Sequence, residues 1–305
     1  MKAVRVNEWG KPVQLEEVPQ PKPADDQALV RVHAASINPF DAAVHAGYMA
    51  AMAKTPLTLG SDYSGVVVSV GKGFNGLKPG DEVYGVEVLG SGTFAEYTTP
   101  KTNEIALKPK SVDFVQASTV PLPAMAAWLS LFEKAQFQGG ERILIHGVAG
   151  AVGGFAAQLA KQKGAYVYGT DVPEKAQHAT DLGVDRFIDV STERFEDVAK
   201  SVDIVLDYVG GETMGRSYNV LKRGGQYVTT LMMDTPQEEP DKLGIHSTGL
   251  GAYPRPEILA EVAKLIDSGK LDVFVNRAFP LAEAQAALEH RFTTKTPGKV
   301  VLTVL

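Results

Sequence analysis

Cysteine is absent from this chain of 305 residues. Without cysteine the protein forms no disulfide bond, has no thiolate nucleophile and builds no zinc site of the cysteine-rich kind. The six histidines show no spacing typical of metal ligands, and we expect them to lie on the surface or to pack in the core. The composition therefore predicts a protein without a bound metal.

Long apolar runs and an excess of positive charge are also missing. No run of about 18 apolar residues occurs, so no membrane-spanning helix is expected. The net charge of −6 argues against binding to nucleic acid or to an anionic membrane. The start of the chain, MKAVRVNEWG, lacks the apolar segment of a signal peptide and is typical of a strand. We expect a cytoplasmic protein, but an organellar protein that has lost its targeting peptide would have the same composition.

The distribution of glycine, proline and β-branched residues divides the chain into two parts. Residues 1–117 contain short β-branched runs separated by glycine and proline, which predict a compact antiparallel, barrel-like domain. From residue 142, strands alternate with helices, which predicts a parallel sheet with right-handed crossovers and therefore an α/β fold. The predicted elements after residue 118 include helices Ala124–Ala135, Glu212–Leu221 and Pro256–Ser268, and strands Gln226–Leu231 and Leu243–Gly249.

The segment from Arg142 to Gly164 has the pattern of a strand, a glycine turn and a helix. Its glycines at 147, 150 and 153 are spaced Gly-x-x-Gly-x-x-Gly, not the commoner Gly-x-Gly-x-x-Gly. Such glycines let a pyrophosphate approach the helix N-terminus, where free N–H groups and the helix dipole favour an anion. We therefore predict a dinucleotide-binding turn with contacts from Gly150, Ala151, Val152 and Gly153.

Asp171 follows the second predicted strand, after Thr170. It lies 21 positions after Gly150, close to the ~20 typical of the carboxylate that binds the adenosine ribose. An alternative role is the N-cap of the helix that starts at Pro173, and the two roles can coexist. We predict cofactor contacts from Thr170, Asp171 and Lys175.

Further motifs recur in a fixed order and carry a resemblance to a known family. The chain resembles the zinc-independent quinone oxidoreductase-like enzymes of the medium-chain dehydrogenase/reductase superfamily over essentially its whole length. The matching segments, besides the glycine turn, are AASINPFD at 34–41, LGSDYSGVV at 59–67, KPGDEV at 78–83, GTFAEY at 92–97 and LDYVGG at 206–211.

The resemblance implies a discontinuous fold. Residues 1–117 and 271–305 are expected to form a GroES-like, β-rich catalytic domain. Residues 118–270 are expected to form a Rossmann domain with a doubly wound parallel sheet that binds the dinucleotide. The resemblance and the β-rich stretch Gln226–Gly249 also favour a homodimer formed by sheet extension.

The resemblance implies an activity as well. The zinc branch of the superfamily has a cysteine where this chain has Asn38 and a histidine where it has Ser61, and neither replacement is a good zinc ligand. The expected function is therefore a zinc-independent NAD(P)H-dependent oxidoreductase that delivers hydride to a quinone or an α,β-unsaturated ketone or aldehyde. The alternatives are an enoyl-thioester reductase of the same superfamily and a non-enzymatic NAD(P)H-binding protein.

Candidate substrate-side residues follow from the same resemblance. Asn38 is expected near the nicotinamide, and its alternative role is a turn residue before a proline. Tyr48 and Tyr63 are candidate hydrogen-bond donors to a substrate oxygen, or else packing tyrosines. An apolar acceptor pocket is expected from Phe40, Met49, Met52 and Leu57, for which a place in the core is the competing interpretation.

Candidate cofactor-side residues lie at the ends of later strands. Val209 and Gly210 are expected beside the nicotinamide ribose, and Thr229 to Leu231 end the fifth strand on the same side. Lys299 resembles a family cofactor contact, although an exposed lysine is usually only solvated. The family often has a threonine near the nicotinamide carboxamide, where this chain has Ala126.

The choice between NADH and NADPH depends on one phosphate. Most similar proteins use NADPH, but Asp171 and Glu174 would repel its 2′-phosphate and Lys175 alone would attract it. We therefore predict a preference for NADH.

Overall fold

The computed structural model of the chain describes residues 1–231, 235–251 and 253–304. Residues 232–234 and 252, in the predicted dinucleotide-binding domain, and residue 305, in the predicted catalytic domain, lie outside the described residues. The chain packs into two units, which we call the β-rich unit and the parallel-sheet unit. The β-rich unit contains Met1–Leu122, Tyr253–Thr294 and Gly298–Leu305, and the parallel-sheet unit contains Pro123–Ala252 and Lys295–Pro297.

The elements are numbered in chain order. The strands are β1 Lys2–Val6, β2 Gln14–Glu17, β3 Ala28–Ser36, β4 Leu57–Thr58, β5 Asp62–Val70, β6 Glu82–Val86, β7 Tyr97–Thr98, β8 Ile105–Leu107, β9 Arg142–His146, β10 Tyr166–Asp171, β11 Arg186–Asp189, β12 Val202–Asp207, β13 Leu221–Thr229, β14 His246–Gly249, β15 Val275–Pro280 and β16 Lys299–Thr303. The α-helices are α1 Pro39–His45, α2 Phe114–Ser118, α3 Pro121–Trp128, α4 Ala151–Gln162, α5 Ala176–Asp181, α6 Phe195–Val198, α7 Thr213–Tyr218, α8 Glu238–Leu243, α9 Pro256–Asp267 and α10 Ala284–Thr293. In the described part of the chain, every helix is too short or too polar to cross a membrane.

The β-rich unit contains two sheets. A three-stranded sheet has the order β2-β1-β4, and a seven-stranded sheet has the order β15-β16-β3-β5-β6-β8, with β7 paired to β3. All of these pairings are antiparallel except that of β15 with β16. β3 and β5 supply much of the core, since β-branched side chains such as Val30, Val32 and Val67 are buried there. This sheet places the ends of β3, β5 and β16 near one another.

The parallel-sheet unit has six parallel strands in the order β11-β10-β9-β12-β13-β14. The central strand β9 is buried, with Ile143, Leu144 and Ile145 fully covered, as expected for a strand that has helices on both faces. The strand order reverses between β9 and β12. In sheets of this kind, ligands bind outside the carboxyl ends of the strands at that point of reversal.

These observations confirm the predicted fold class, but several predicted boundaries were wrong. Helix α9 packs in the β-rich unit, not in the dinucleotide domain that was expected to extend to residue 270. Its buried face includes Leu259, and the Tyr84 hydroxyl donates to the Leu259 carbonyl at 2.6 Å. An amphipathic pattern shows that a helix has a partner but does not identify the partner.

Local differences in the parallel-sheet unit have similar causes. Leu221, predicted as the end of a helix, instead begins β13 because it pairs with Val202 of β12. The predicted strand from Leu243 begins only at His246, because the preceding residues form α8, which ends at Leu243 and is capped by Gly244 with a φ of 66°. The predicted helix Ala124–Ala135 consists of the end of α3 followed by a π-helical segment, Leu129–Lys134.

Candidate functional site

The glycine turn joins β9 to α4 with very little space. Gly147 has a φ of 73°, which only glycine adopts readily. A Cβ atom on Gly153 would lie 2.3 Å from the Gly147 carbonyl oxygen and 2.8 Å from the Val148 Cα. Glycine at 153 therefore allows the first turn of the helix to lie directly on the end of the strand.

The first turn of α4 presents free donors. The Gly154 N–H donates to the Gly150 carbonyl at 2.8 Å, which starts the hydrogen bonding of the helix. Among the described residues, no acceptor faces the N–H groups of Ala151, Val152 and Gly153. Three free donors at the N-terminus of a twelve-residue helix suit an anion such as a pyrophosphate.

Asp171 lies at the end of β10, beside this turn. Its Oδ2 accepts a hydrogen bond from the Ala149 N–H at 3.1 Å, and its Oδ1 accepts one from the Val172 N–H at 2.9 Å. The Lys175 ammonium lies 3.3 Å from Oδ1, and the Asp171 side chain is only 8% exposed. The N-cap position of the following 3₁₀ turn is Val172 and not Asp171, so the alternative role as that helix's cap is wrong. Asp171 instead holds the glycine turn.

Thr170 and His146 lie beneath the turn and not on its surface. The Thr170 hydroxyl is 2.9 Å from His146 Nδ1, and its carbonyl accepts the N–H groups of Gly147 and Val148. His146 Nε2 is 2.9 Å from the Ser217 hydroxyl, which itself donates to the Thr213 carbonyl. Nε2 therefore carries the imidazole proton. Burial lowers the pKa of His146 to about 4, so the ring is neutral at neutral pH.

The loops after β12 and β13 complete the carboxyl edge of the sheet. Val209 and Leu231 are exposed, at 56% and 52%, whereas Thr229 is buried and its hydroxyl accepts the Leu231 N–H at 3.2 Å. A Cβ on Gly210 would lie 2.4 Å from Leu231 Cδ1, and one on Gly147 would lie 3.1 Å from Val209 Cγ2. Three loops thus meet beside the point where the strand order reverses.

The β-rich unit holds a buried polar cluster, which consists of Asn38, Asp41, Ser61, Asp62 and Lys299. The Lys299 ammonium donates to Asn38 Oδ1 at 2.7 Å and to Asp62 Oδ2 at 2.6 Å. The Asn38 amide donates to Ser61 Oγ at 3.1 Å and to Asp62 Oδ2 at 2.9 Å. Asp41 accepts from the Ser61 hydroxyl at 2.8 Å and from the Asn38 N–H at 2.7 Å. Each member is at most 5% exposed, so Lys299 is not the solvated lysine of the alternative interpretation.

Burial dominates the titration of this cluster. It lowers the pKa of Lys299, which the nearby Asp62 carboxylate opposes. It raises the pKa of Asp41 to about 7, against the hydrogen bonds from Asn38 and Ser61. Asp41 is the acceptor in both hydrogen bonds, which favours its ionised form.

The two candidate tyrosines have different surroundings. Tyr63 is fully buried, and its hydroxyl donates to the Glu104 carbonyl at 3.3 Å. Tyr48 is 80% exposed, in the loop after α1. The structure therefore gives Tyr63 the packing role that was its alternative and leaves the Tyr48 hydroxyl available.

A pocket that opens to solvent lies in the β-rich unit between α1, β4 and the loop at 89–92. Its wall includes Phe40, Val44, Leu57 and Leu89, with Asp41 beside them. The expected pocket residues Phe40 and Leu57 are thus together. Met52 is 73% exposed and Met49 packs on the core, and neither lines this pocket.

Several residues of these sites were not predicted. Asp62 and Asp207 stand within the quoted motifs LGSDYSGVV and LDYVGG, and a single charge beside an apolar strand was a usable signal. Lys295 is ion-paired with Glu174, and no sequence pattern indicated that pair. Among the residues that the structure describes, no group of three or more His, Asp or Glu side chains is placed to hold a metal ion.

The fold and these sites define a two-domain oxidoreductase with a dinucleotide-binding domain. The family model for the alcohol dehydrogenase GroES-like domain matches residues 24–110. The model for zinc-binding dehydrogenases matches residues 182–302, and this second range contains neither Asn38 nor Ser61. The chain is 35% identical to the 2-methylene-furan-3-one reductase of Solanum lycopersicum, across 91% of this chain and 72% of that protein.

Solved structures agree with this assignment. The quinone oxidoreductase from Coxiella burnetii matches with a TM-score of 0.92 and 32% identity over 100% of this chain and 99% of that one. The Escherichia coli quinone oxidoreductase complexed with NADPH matches with a TM-score of 0.91 and 26% identity over the whole of both chains. This chain belongs to the quinone oxidoreductase-like group of the medium-chain dehydrogenase/reductase superfamily, and the predictions of family, fold and oxidoreductase function are confirmed.

Proposed function

We propose that the protein is a zinc-independent reductase that transfers hydride from a reduced nicotinamide dinucleotide to a quinone or an α,β-unsaturated ketone or aldehyde. The observation that carries the proposal is the bonding of the Lys299 ammonium to Asn38 and Asp62 in the buried polar cluster. Of the two positions that hold zinc ligands in the zinc branch, Asn38 here accepts from the Lys299 ammonium and Ser61 accepts from the Asn38 amide. The acceptor must therefore be electron-poor without the help of a metal.

The carboxyl edge of the parallel sheet would hold the dinucleotide. The N–H groups of Ala151, Val152 and Gly153 suit its pyrophosphate, Asp171 suits the adenosine ribose, and Val209, Gly210 and Leu231 suit its other half. When bound, the dinucleotide supplies the hydride, while the protein binds it, orients it and excludes water.

The pocket beside α1 would take the acceptor. Sites for small molecules are typically concave and mostly apolar, with a few polar groups at their edge. Phe40, Leu57 and Leu89 give this pocket the apolar wall that a small quinone or enone requires. Tyr48 is our candidate for donating a hydrogen bond to an acceptor oxygen, and Tyr63 is not retained in that role.

We also propose a preference for NADH. Glu174 is paired with Lys295, so its charge is largely offset. Asp171 has Lys175 nearby, but it is mostly buried and also holds the glycine turn. A second negative group beside Asp171 would be repelled in that low-dielectric position.

The assembly and location that we propose follow the sequence prediction. β14 is an edge strand of the six-stranded sheet, which supports a homodimer formed by sheet extension. We propose a cytoplasmic enzyme that binds neither nucleic acid nor membrane, in keeping with the net charge of −6.

The proposal is tested by a panel of acceptors. Oxidation of NADH and of NADPH is followed with a quinone, an enone, a saturated aldehyde and an enoyl thioester, before and after treatment with EDTA. Activity with the quinone or the enone that EDTA does not change is the expected result. If EDTA removes a bound metal and abolishes activity, and adding the metal back restores activity, zinc independence is refuted. A preference for the thioester would support the alternative, an enoyl-thioester reductase.

A further inference from the structure

Asp207 ends β12 with a fully buried carboxylate. Its Oδ1 accepts the Val209 N–H at 2.9 Å and the Gly210 N–H at 2.8 Å. Its Oδ2 accepts the hydroxyls of Thr213 at 2.7 Å and Tyr227 at 2.8 Å. Within the described residues, no lysine or arginine forms an ion pair with this carboxylate. Its charge is stabilised by four donors that carry no charge.

Two of the donors belong to the loop that Asp207 precedes. Gly210 has a φ of 71°, and the Thr213 hydroxyl also lies 2.9 Å from the Gly210 carbonyl. The single hydroxyl proton of Thr213 is shared between Asp207 Oδ2 and the Gly210 carbonyl, so the loop is held mainly by the two N–H groups that donate to Asp207 Oδ1. Hydrogen bonds to an ionised acceptor are roughly twice as strong as neutral ones, so the charge of Asp207 sets the position of the loop.

The position of the loop decides where the exposed side chains of Val209 and Leu231 lie. Val209 lies against Gly147, the first glycine of the glycine turn, and Gly210 lies against Leu231. A Cβ on Gly147 would be crowded by Val209, and a Cβ on Gly210 would be crowded by Leu231. These contacts flank the point where the strand order reverses between β9 and β12. A dinucleotide whose pyrophosphate lies at α4 and whose adenosine lies at β10 must extend its other half towards β12 and β13.

We infer that Asp207 is a positioning residue, which fixes the loop of Val209 and Gly210 as the surface that orients the nicotinamide half of the cofactor. This inference rests on the proposed function. It predicts that Asp207 affects the order of the bound nicotinamide and the rate of hydride transfer more than it affects the affinity for the dinucleotide, because the pyrophosphate donors belong to a different loop.

The test is Asp207→Asn, which preserves shape and removes the charge. The matched control is Asp203→Asn, on the same strand, where the carboxylate accepts the Arg142 N–H at 2.8 Å and pairs with Lys222 away from the loop. Three quantities are measured for each variant: the Kd of NADH, the anisotropy decay of the bound reduced nicotinamide, and kcat with its primary deuterium isotope effect.

We expect Asp207→Asn to change Kd by less than about threefold, since the helix N-terminus still binds the pyrophosphate. The bound nicotinamide should gain local motion, and kcat should fall about tenfold or more with a larger isotope effect, because small misplacements slow a positioned reaction strongly. Asp203→Asn should lower the Tm and leave the nicotinamide order and the isotope effect as in the wild type.

Thr213→Val provides a second variant if Asp207→Asn does not fold. It removes the hydroxyl whose one proton is shared between Asp207 and the Gly210 carbonyl, and it should produce the same changes but smaller ones. The inference is overturned if the nicotinamide stays as ordered as in the wild type in a folded variant, or if Asp203→Asn disorders it equally. A wild-type protein that binds no reduced dinucleotide would overturn the proposed function as well, so the two failures are distinguishable.

Discussion

In the parallel-sheet unit the groups that would face a ligand are mostly backbone atoms, whereas in the β-rich unit the polar groups of interest are buried side chains. The first unit presents free N–H groups at α4 and a loop held by Asp207. The second unit buries an ammonium and two carboxylates within hydrogen-bond distance of Asn38 or Ser61.

The two regions also stabilise buried charge differently. Asp62 is paired with a cation, Lys299, while the charge of Asp207 is stabilised by neutral donors. Burial alone would raise the pKa of Asp207, but the protonated form of His146, which exists only at low pH, and the hydrogen bonds from Gly210, Thr213 and Val209 hold it below its usual range. Asp207 thus spreads its charge over several donors that fix one loop, whereas Asp62 depends on one cation. The predictions below test this difference.

The largest effect is expected from Lys299→Met. It leaves Asp62 buried without a counter-charge, and breaking a buried pair in this way costs about 3–5 kcal/mol of unfolding free energy. Urea denaturation measures the loss. Adding Asp62→Asn to the variant should recover part of it, and Lys242→Met, which breaks an exposed pair with Glu238, should cost less than about 1 kcal/mol. Equal losses from Lys299→Met and Lys242→Met would refute the role assigned to the buried pair.

A pH-dependent loss of stability is expected from His146. Its pKa is lowered to about 4 in the folded protein from 6.5 in an exposed histidine. Between these values the unfolded chain binds a proton that the folded protein does not, so the contribution is complete above pH 6.5 and is lost as the pH falls towards 4. The size is about 3 kcal/mol, from ~1.4 kcal/mol per pKa unit.

The measurement compares the wild type with His146→Gln. The free energy of unfolding is obtained for both proteins at several values of pH across that interval. The difference between them should shrink as the pH falls. A difference that is constant with pH would mean that His146 does not titrate as described.

A smaller effect is expected from one methyl group in the glycine turn. In Gly153→Ala the new Cβ meets the Gly147 carbonyl oxygen at 2.3 Å, whereas in Gly154→Ala the nearest atom is Leu182 Cδ1, the end of a flexible side chain, at 3.3 Å. Overpacking of the first kind costs about 1–3 kcal/mol, and the Kd of the dinucleotide should rise about tenfold in a folded variant, since ~1.4 kcal/mol is a factor of ten. Fluorescence titration and thermal unfolding measure both. Unchanged affinity in folded Gly153→Ala would show that the turn does not hold the dinucleotide.

The smallest expected effect is on the choice of cofactor. Asp171→Ser removes the carboxylate beside the ribose position and should shift the ratio of kcat/KM towards NADPH by about tenfold, or ~1.4 kcal/mol. Glu174→Ser should shift it less, because Lys295 already offsets that charge. A wild type that prefers NADPH, with a ratio that Asp171→Ser leaves unchanged, would limit Asp171 to holding the glycine turn.

Local sequence was sufficient for features that depend on neighbours in the chain. The glycine turn and the alternation of strands and helices depend on contiguous residues, and both predicted the correct elements. The start of β13 and the domain to which α9 was assigned differ from the prediction because both depend on partners. Leu221 is extended only because Val202 lies beside it, and α9 joins the unit that covers its apolar face.

The sequence by itself determined the α/β class, the family, and the strand–turn–helix segment that presents free N–H groups. Tertiary structure alone decided which polar side chains are saturated inside the protein. Lys299 and Asn38 are 261 positions apart, and Lys295 and Glu174 are 121 positions apart. Pairs so distant come together only when the chain folds. Burial then disfavours the charge of Lys299, which the Asp62 carboxylate compensates where water is excluded.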